Sequence, residues 1–214
     1  MKDKHVLVIG SGSSIKSHKK KIAKLVEDQK LVTFGINYMT SLCSPKYHLW
    51  TNKQRYRDLG SCIDENSNFL FGCGITKKLI RKHYAGDYET IDYTSNLKEG
   101  AKEVDYYYED GKYYGYFRTA GVLAIMIAYH MGAKKISIVG MDGYTLHSRK
   151  QLLKGKKSHH CYGKGYTDDA SWEKCKKKDA EIYSTLEDLY ASGIEFEIIT
   201  PTKFKDFYNP SALK

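Results

Sequence analysis

Apolar and polar positions alternate along this chain in two periods. Val6-Leu7-Val8-Ile9 is a short continuous apolar run, the form of a strand covered on both faces, and it stops at Gly10-Ser11-Gly12-Ser13-Ser14. Beyond the turn, Ile15, Ile22, Leu25 and Val26 recur at helical spacing, while Lys16, Lys19, Lys20, Lys21 and Lys24 form the wet side. The chain therefore opens with strand, glycine turn and helix. Leu31 to Ile36 and Tyr47 to Trp50 predict two further strands, closed by Asn37 and by Thr51-Asn52. Weaker strand patterns at Asn68 to Phe71 and Tyr88 to Tyr93 flank a short basic helix at Lys77 to His83. The tyrosines between Val104 and Phe117 surround Glu109-Asp110-Gly111 and predict a hairpin or an aromatic loop.

The clearest helix runs from Ala120 to Met131, apolar nearly all round and therefore buried, with Gly132 in the usual closing position. Ile136 to Val139 follows as a strand, and Gly140-Met141-Asp142-Gly143-Tyr144 leads from it into a lysine-rich loop with neither helical nor strand period. A long helix is expected from about Asp169 to Ser192, ended by Gly193, and Phe196 to Ile199 is the last strand. Strands alternating with helices predict an α/β fold: a single doubly wound, mostly parallel, Rossmann-like sheet spanning residues 1–214 as one domain.

Composition narrows the class. With 41% apolar and 28% charged residues, the 214-residue chain matches a globular protein and excludes a disordered or collagen-like one. No apolar run reaches the roughly 20 residues of a membrane span, and Met1 to His5 lacks a signal peptide's apolar stretch, so a cytoplasmic location is expected. Five cysteines without a C-x-x-C pair are read as reduced thiols. The net charge of +10 favours anionic partners, whether nucleotides, nucleic acid or the acidic face of a membrane.

In doubly wound sheets ligands sit beyond the carboxyl ends of the strands. Gly10, Ser11, Gly12, Ser13, Asn37, Asn52, Gly140, Met141 and Asp142 all fall there, and turn or cap duty alone would also account for them. The glycine turn could hold a phosphate against backbone N–H groups and a helix N-terminus. It is not a dinucleotide fingerprint, because Ile15 stands where the third glycine would be and Asn37 where an acidic ribose ligand is expected. The P-loop pattern is absent as well. Thr119-Ala120-Gly121 opens the buried helix with a capping hydroxyl and small side chains. Between Gly143 and Thr167 there is no acidic residue, while lysines, Arg149, His147, His159 and His160 are present. His159-His160-Cys161 has the wrong spacing for zinc, so no metal is expected. A loop histidine suits general base chemistry, and Tyr144 and Tyr162 could donate hydrogen bonds to a leaving phosphate.

In order along the chain these motifs resemble the bacterial CMP-sialic acid-dependent sialyltransferases of glycosyltransferase family 42, and more loosely related Rossmann-like proteins of surface-polysaccharide biosynthesis. Gly10-Ser11-Gly12-Ser13-Ser14-Ile15 resembles the family's G-N-G-P-S-L turn, and Asn37 and Asn52 its strand-closing asparagines. Thr119-Ala120-Gly121 resembles T-S-G, and Val139 to Tyr144 resembles S-G-I-D-F-Y. Ser158-His159-His160-Cys161-Tyr162-Gly163-Lys164 is similar to the S-H-Y-I-G-H of the family's lid, and Thr200-Pro201 to its final C-P. Residues 66–117 carry no family motif.

The resemblance implies a GT-A-like sialyltransferase with a basic lid at about 145–167. A CMP-activated acidic sugar is the donor substrate, a glycan or glycolipid hydroxyl the acceptor, and no cofactor is required. The phosphate is expected near Gly10 to Ser13, Asn37 and Asn52, and the cytidine near Thr119 to Gly121 and Gly140 to Asp142. Lys164 matches the family's catalytic histidine, and a protonated lysine is a poor base unless its pKa is depressed, so either His160 or His159 takes the role or the chain is not an active transferase. Peripheral contact with an anionic membrane surface and self-association are compatible with this reading. Two rivals stand beside it. One is another nucleotide-dependent transferase, handling pyrophosphate or a different sugar donor; the other is a non-catalytic nucleic-acid module using lysines and tyrosines, although nucleic acid is not the expected partner.

Overall fold

β1 (His5–Ile9) lies between β2 (Val32–Ile36) and β8 (Lys135–Val139), paired in parallel with both. The structure, a computed structural model, describes residues 1–39, 42–94, 106–163 and 171–213. Val104, Lys164 and the expected helix start at Asp168-Asp169 lie outside these residues.

From β2 the sheet continues through β3 (Tyr47–Trp50), β4 (Asn68–Gly72) and β5 (Tyr88–Tyr93) to a hairpin of β6 (Tyr107–Glu109) and β7 (Lys112–Tyr114). On the other side β8 is followed by β9 (Glu197–Ile198), so among the described residues the nine strands run β6-β7-β5-β4-β3-β2-β1-β8-β9. Only the β6/β7 pair is antiparallel. Chain order therefore reverses between β1 and β8, where a doubly wound sheet opens its ligand crevice.

Alternation along β1 explains the layers. Val6 and Val8 pack with α4 (Ala120–His130) and α6 (Trp172–Ala191) on one face. Leu7 and Ile9 pack with Ile15 and Ile22 of α1 (Ser14–Gln29) on the other. Further along the α1 face, Trp50, Phe69 and Phe71 meet Tyr56 of α2 (Lys53–Leu59) and Ile80 of α3 (Lys77–Arg81). Helices on both faces account for the continuous apolar strands. As its composition requires, α4 is buried from Gly121 to Ala128, and Gly132 closes it at φ +80°.

Two elements depart from the sequence expectation. α2 had no visible stripe, because Tyr56 is its only buried side chain. The loop after Tyr144 contains α5 (Arg149–Leu153), which buries nothing and is held by a capping box between Ser148 and Gln151. Among the described residues no helix is long and apolar enough to cross a membrane.

Candidate functional site

The turn after β1 and the turn after β8 touch. Gly10 N–H donates to Val139 O at 2.8 Å and Gly12 N–H to Gly140 O at 2.9 Å. A Cβ on Gly10 would lie 2.6 Å from Gly140 O, and one on Gly12 2.4 Å from Asp142 Oδ1, so both positions need glycine for close approach. The chain after β9 fastens the second turn from below: Gly140 N–H donates to Thr200 Oγ1 at 2.9 Å, and Thr202 Oγ1 donates to Met141 O at 2.7 Å.

Asp142 is buried, and its carboxylate accepts from Ser14 N–H at 2.7 Å, from the Ser14 hydroxyl and from Ser13 Oγ at 3.2 Å. It thus caps α1 from the far side of the crevice. This revises the expected phosphate seat: the anion at the first turn of α1 is the protein's own. Burial pushes the Asp142 carboxyl above the usual carboxylate range, against the serine hydrogen bonds that hold it down.

The asparagines organise the next two strand ends. Asn37 sits in the left-handed region at φ +47°, where its short amide is tolerated, and its Oδ1 accepts from Thr51 N–H at 3.0 Å and Asn52 N–H at 3.1 Å. Asn52 Oδ1 caps α2 by accepting from Arg55 N–H at 2.9 Å. Thr119 caps α4 in the same way through Val122 N–H at 3.4 Å, and Gly121 leaves room for the Met141 side chain.

Between these ends lies a cleft with two compartments. The inner one, of about 130 Å³, is lined by Gly10, Ser11, Gly12, Asn37, Arg55, Thr119, Ala120, Gly121, Gly140, Met141, Asp142, Tyr144, His159 and His160 among others. The outer one, of about 300 Å³, shares Asn37, Arg55, Thr119, Ala120 and Tyr144 and adds Asn52, Arg118 and Lys178. By volume only the outer compartment reaches the size of small-molecule pockets, about 300–1,000 Å³. Ser13 faces a separate groove, where its Oγ is 3.0 Å from His147 Nε2.

His160 is the buried centre of the segment covering the turn. Gly12 and His160 form an isolated antiparallel bridge, and Cys161 N–H donates to Ser11 O at 2.8 Å. Tyr162 stacks on the His160 ring at 4.9 Å with 4° between planes, so it forms a platform beneath the histidine and does not line the cleft. Arg55 Nη2 donates to His160 Nε2 at 3.1 Å. A guanidinium only donates, so Nε2 carries its lone pair and the imidazole is neutral. Burial first, then the Arg55 charge, lower the His160 pKa to about 3. His159 packs its ring against Tyr144 at 5.7 Å, and Lys178 Nζ lies 5.1 Å above the Tyr144 ring.

Arg55, Arg118, Lys178 and Asp179 contribute to the cleft without a local sequence signal of the kind the strand ends carry. Arg55 follows the asparagine cap by three residues and supplies cationic charge to the cleft. Asp179 interrupts the buried stripe Cys175, Ile182, Leu186, Leu189 of α6 and accepts from Tyr144 N–H at 2.7 Å, Thr145 N–H at 2.8 Å and Thr145 Oγ1 at 2.6 Å. A carboxylate in an apolar stripe is the signal that could have revealed it. Among the described residues no group of three or more His, Cys, Asp and Glu side chains is placed to hold a metal ion. Compared with known proteins, the chain matches no family model and no curated protein.

Proposed function

We propose that the protein is a sialyltransferase-like glycosyltransferase, moving an acidic sugar from a CMP-activated donor to a glycan hydroxyl. The observation that carries this reading is the Arg55–His160 contact inside a cleft lined by the ends of β1, β2, β3 and β8 together with the start of α4. The donor phosphate is assigned to Arg55, with Lys178 and Arg118 on the outer side, since Asp142 fills the first turn of α1. The nucleoside lies toward Thr119 to Gly121 and Gly140 to Asp142.

In this mechanism the donor phosphate draws the Arg55 guanidinium away from His160. The freed Nε2 lone pair then takes the proton of the acceptor hydroxyl, and removal of the neighbouring charge makes the imidazole a stronger base. The acceptor oxygen bonds to the anomeric carbon as the bond from that carbon to the phosphate oxygen breaks, and CMP leaves with the electron pair. The Tyr144 hydroxyl donates to the departing phosphate. Residues 145–163 act as the inner part of a lid, with His160 carried on its bridge to Gly12.

Thermal shift of the full chain with CMP, CDP, UDP, ATP and NAD tests the reading. CMP stabilising the wild type most, and an Arg55→Ala variant least, is the expected result. ATP stabilising it most, and only with a divalent metal, would transfer the assignment to a pyrophosphate-handling transferase.

A further inference from the structure

We infer that α1 and the α5 segment together form a docking surface for an anionic lipid bilayer, with Leu153 entering the headgroup layer. A groove of about 880 Å³ separates the two, lined on the α1 side by Lys16 and Ser17 and on the other by Leu152, Leu153, Lys156 and Lys157. Lys16, Lys20 and Lys24 are exposed and spaced four residues apart, so they form one stripe running away from the groove. Leu153 is 76% exposed, more than any other large apolar side chain among the described residues, and Lys154 stands beside it.

The charges are placed at the expense of the helices that carry them. α1 carries Lys16 in its first turn and Glu27 and Asp28 in its last, the reverse of what the helix dipole favours, and the carboxylate at its start comes from Asp142 instead of from the helix itself. In the α5 segment Lys150 and Lys154 are like charges four residues apart, which opposes the helix. Among the described residues none of these lysines has a carboxylate within ion-pair distance. A solvated face gains nothing from such a pattern, whereas a surface carrying dense negative charge does.

An exposed leucine set among cations selects lipid over nucleic acid. Lysines flanking an apolar side chain suit an interface where the ammonium groups meet phosphates and the leucine meets acyl chains. Binding of single strands instead needs broad aromatic platforms, and the groove lining has no Phe, Tyr or Trp, only the His147 ring held at Ser13. The exposed Tyr107 and Tyr108 belong to β6, at the end of the sheet remote from β1 and its helix. This surface does not depend on which ligand fills the cleft.

Co-sedimentation of the full chain with vesicles of phosphatidylcholine, alone or with one-quarter phosphatidylglycerol, tests the inference at about 0.1 M salt. Partition at least about tenfold stronger on the anionic vesicles, and lost as salt rises, is expected. Leu153→Glu and the triple change Lys154→Glu, Lys156→Glu, Lys157→Glu should each weaken it about tenfold or more while leaving the melting temperature and circular dichroism unchanged. Equal partition on both vesicles, variants that sediment like the wild type, or capture of a labelled single-stranded oligonucleotide without vesicle binding would each overturn it.

Discussion

The carboxylate of Asp142, at the end of one strand, accepts the Ser14 amide at 2.7 Å and so caps a helix that follows another strand 128 residues away in sequence. The contact depends on Gly12, where an added Cβ would sit 2.4 Å from the same carboxylate. Gly12→Ala should therefore displace the cap and destabilise the fold by about 1–3 kcal/mol, read from the urea midpoint. Gly74→Ala is the control, because a Cβ there meets nothing within 4 Å and should change stability by less than about 0.5 kcal/mol.

Arg55 controls His160. Arg55→Ala should raise the imidazole pKa from about 3 toward the ordinary histidine range, seen as a shifted ring-proton titration by NMR. The same variant should weaken CMP binding about tenfold or more by calorimetry. His160→Ala, by contrast, should leave CMP binding within a few-fold and reduce turnover by about 100-fold or more. Unchanged turnover would remove His160 from the base role.

Acid should destabilise this protein through its buried histidines. His48 is buried, donates from Nε2 to Asn37 O at 2.6 Å, and burial lowers its pKa to about 4. His160 falls further, and burial also lowers His5 and His147. A histidine with a depressed folded pKa binds its proton more readily when unfolded, so stability present above about pH 6.5 is lost as pH falls toward 4. His48 alone should account for a few kcal/mol of that loss. Urea midpoints measured from pH 7 to 4.5 should decline steeply in the wild type and less steeply in His48→Phe.

Asp179 holds the strand-end loop against α6. Asp179→Ala leaves the amides of Tyr144 and Thr145 without their acceptor, so their hydrogen exchange should accelerate by about tenfold or more while that of β1 is unchanged. Global stability should fall by about 1–3 kcal/mol.

What the sequence discloses follows from how each signal is encoded. β1, its glycine turn and α1 are local patterns, and all fall where the apolar periods put them. The capping box Ser148–Gln151 is also local, yet the lysines around it leave α5 without an apolar stripe to mark it. Asn37 and Asn52 were correctly located at strand ends, but each side-chain oxygen turns inward to serve backbone N–H groups of the next turn. Arg55 could not be read at all: its partner lies 105 residues further on, and only the parallel sheet brings the two together.

Strand order has a consequence for synthesis on the ribosome. β1 pairs with β2 early, but its other neighbour is β8, about 130 residues downstream. At about 5–20 residues per second, the open edge of the first strand waits roughly 6–26 seconds for its permanent partner. During that interval the nascent chain presents Val6 to Ile9 as a sticky apolar ribbon. A holding chaperone, or slow codons placed after residue 139 and not before it, should therefore govern the soluble yield.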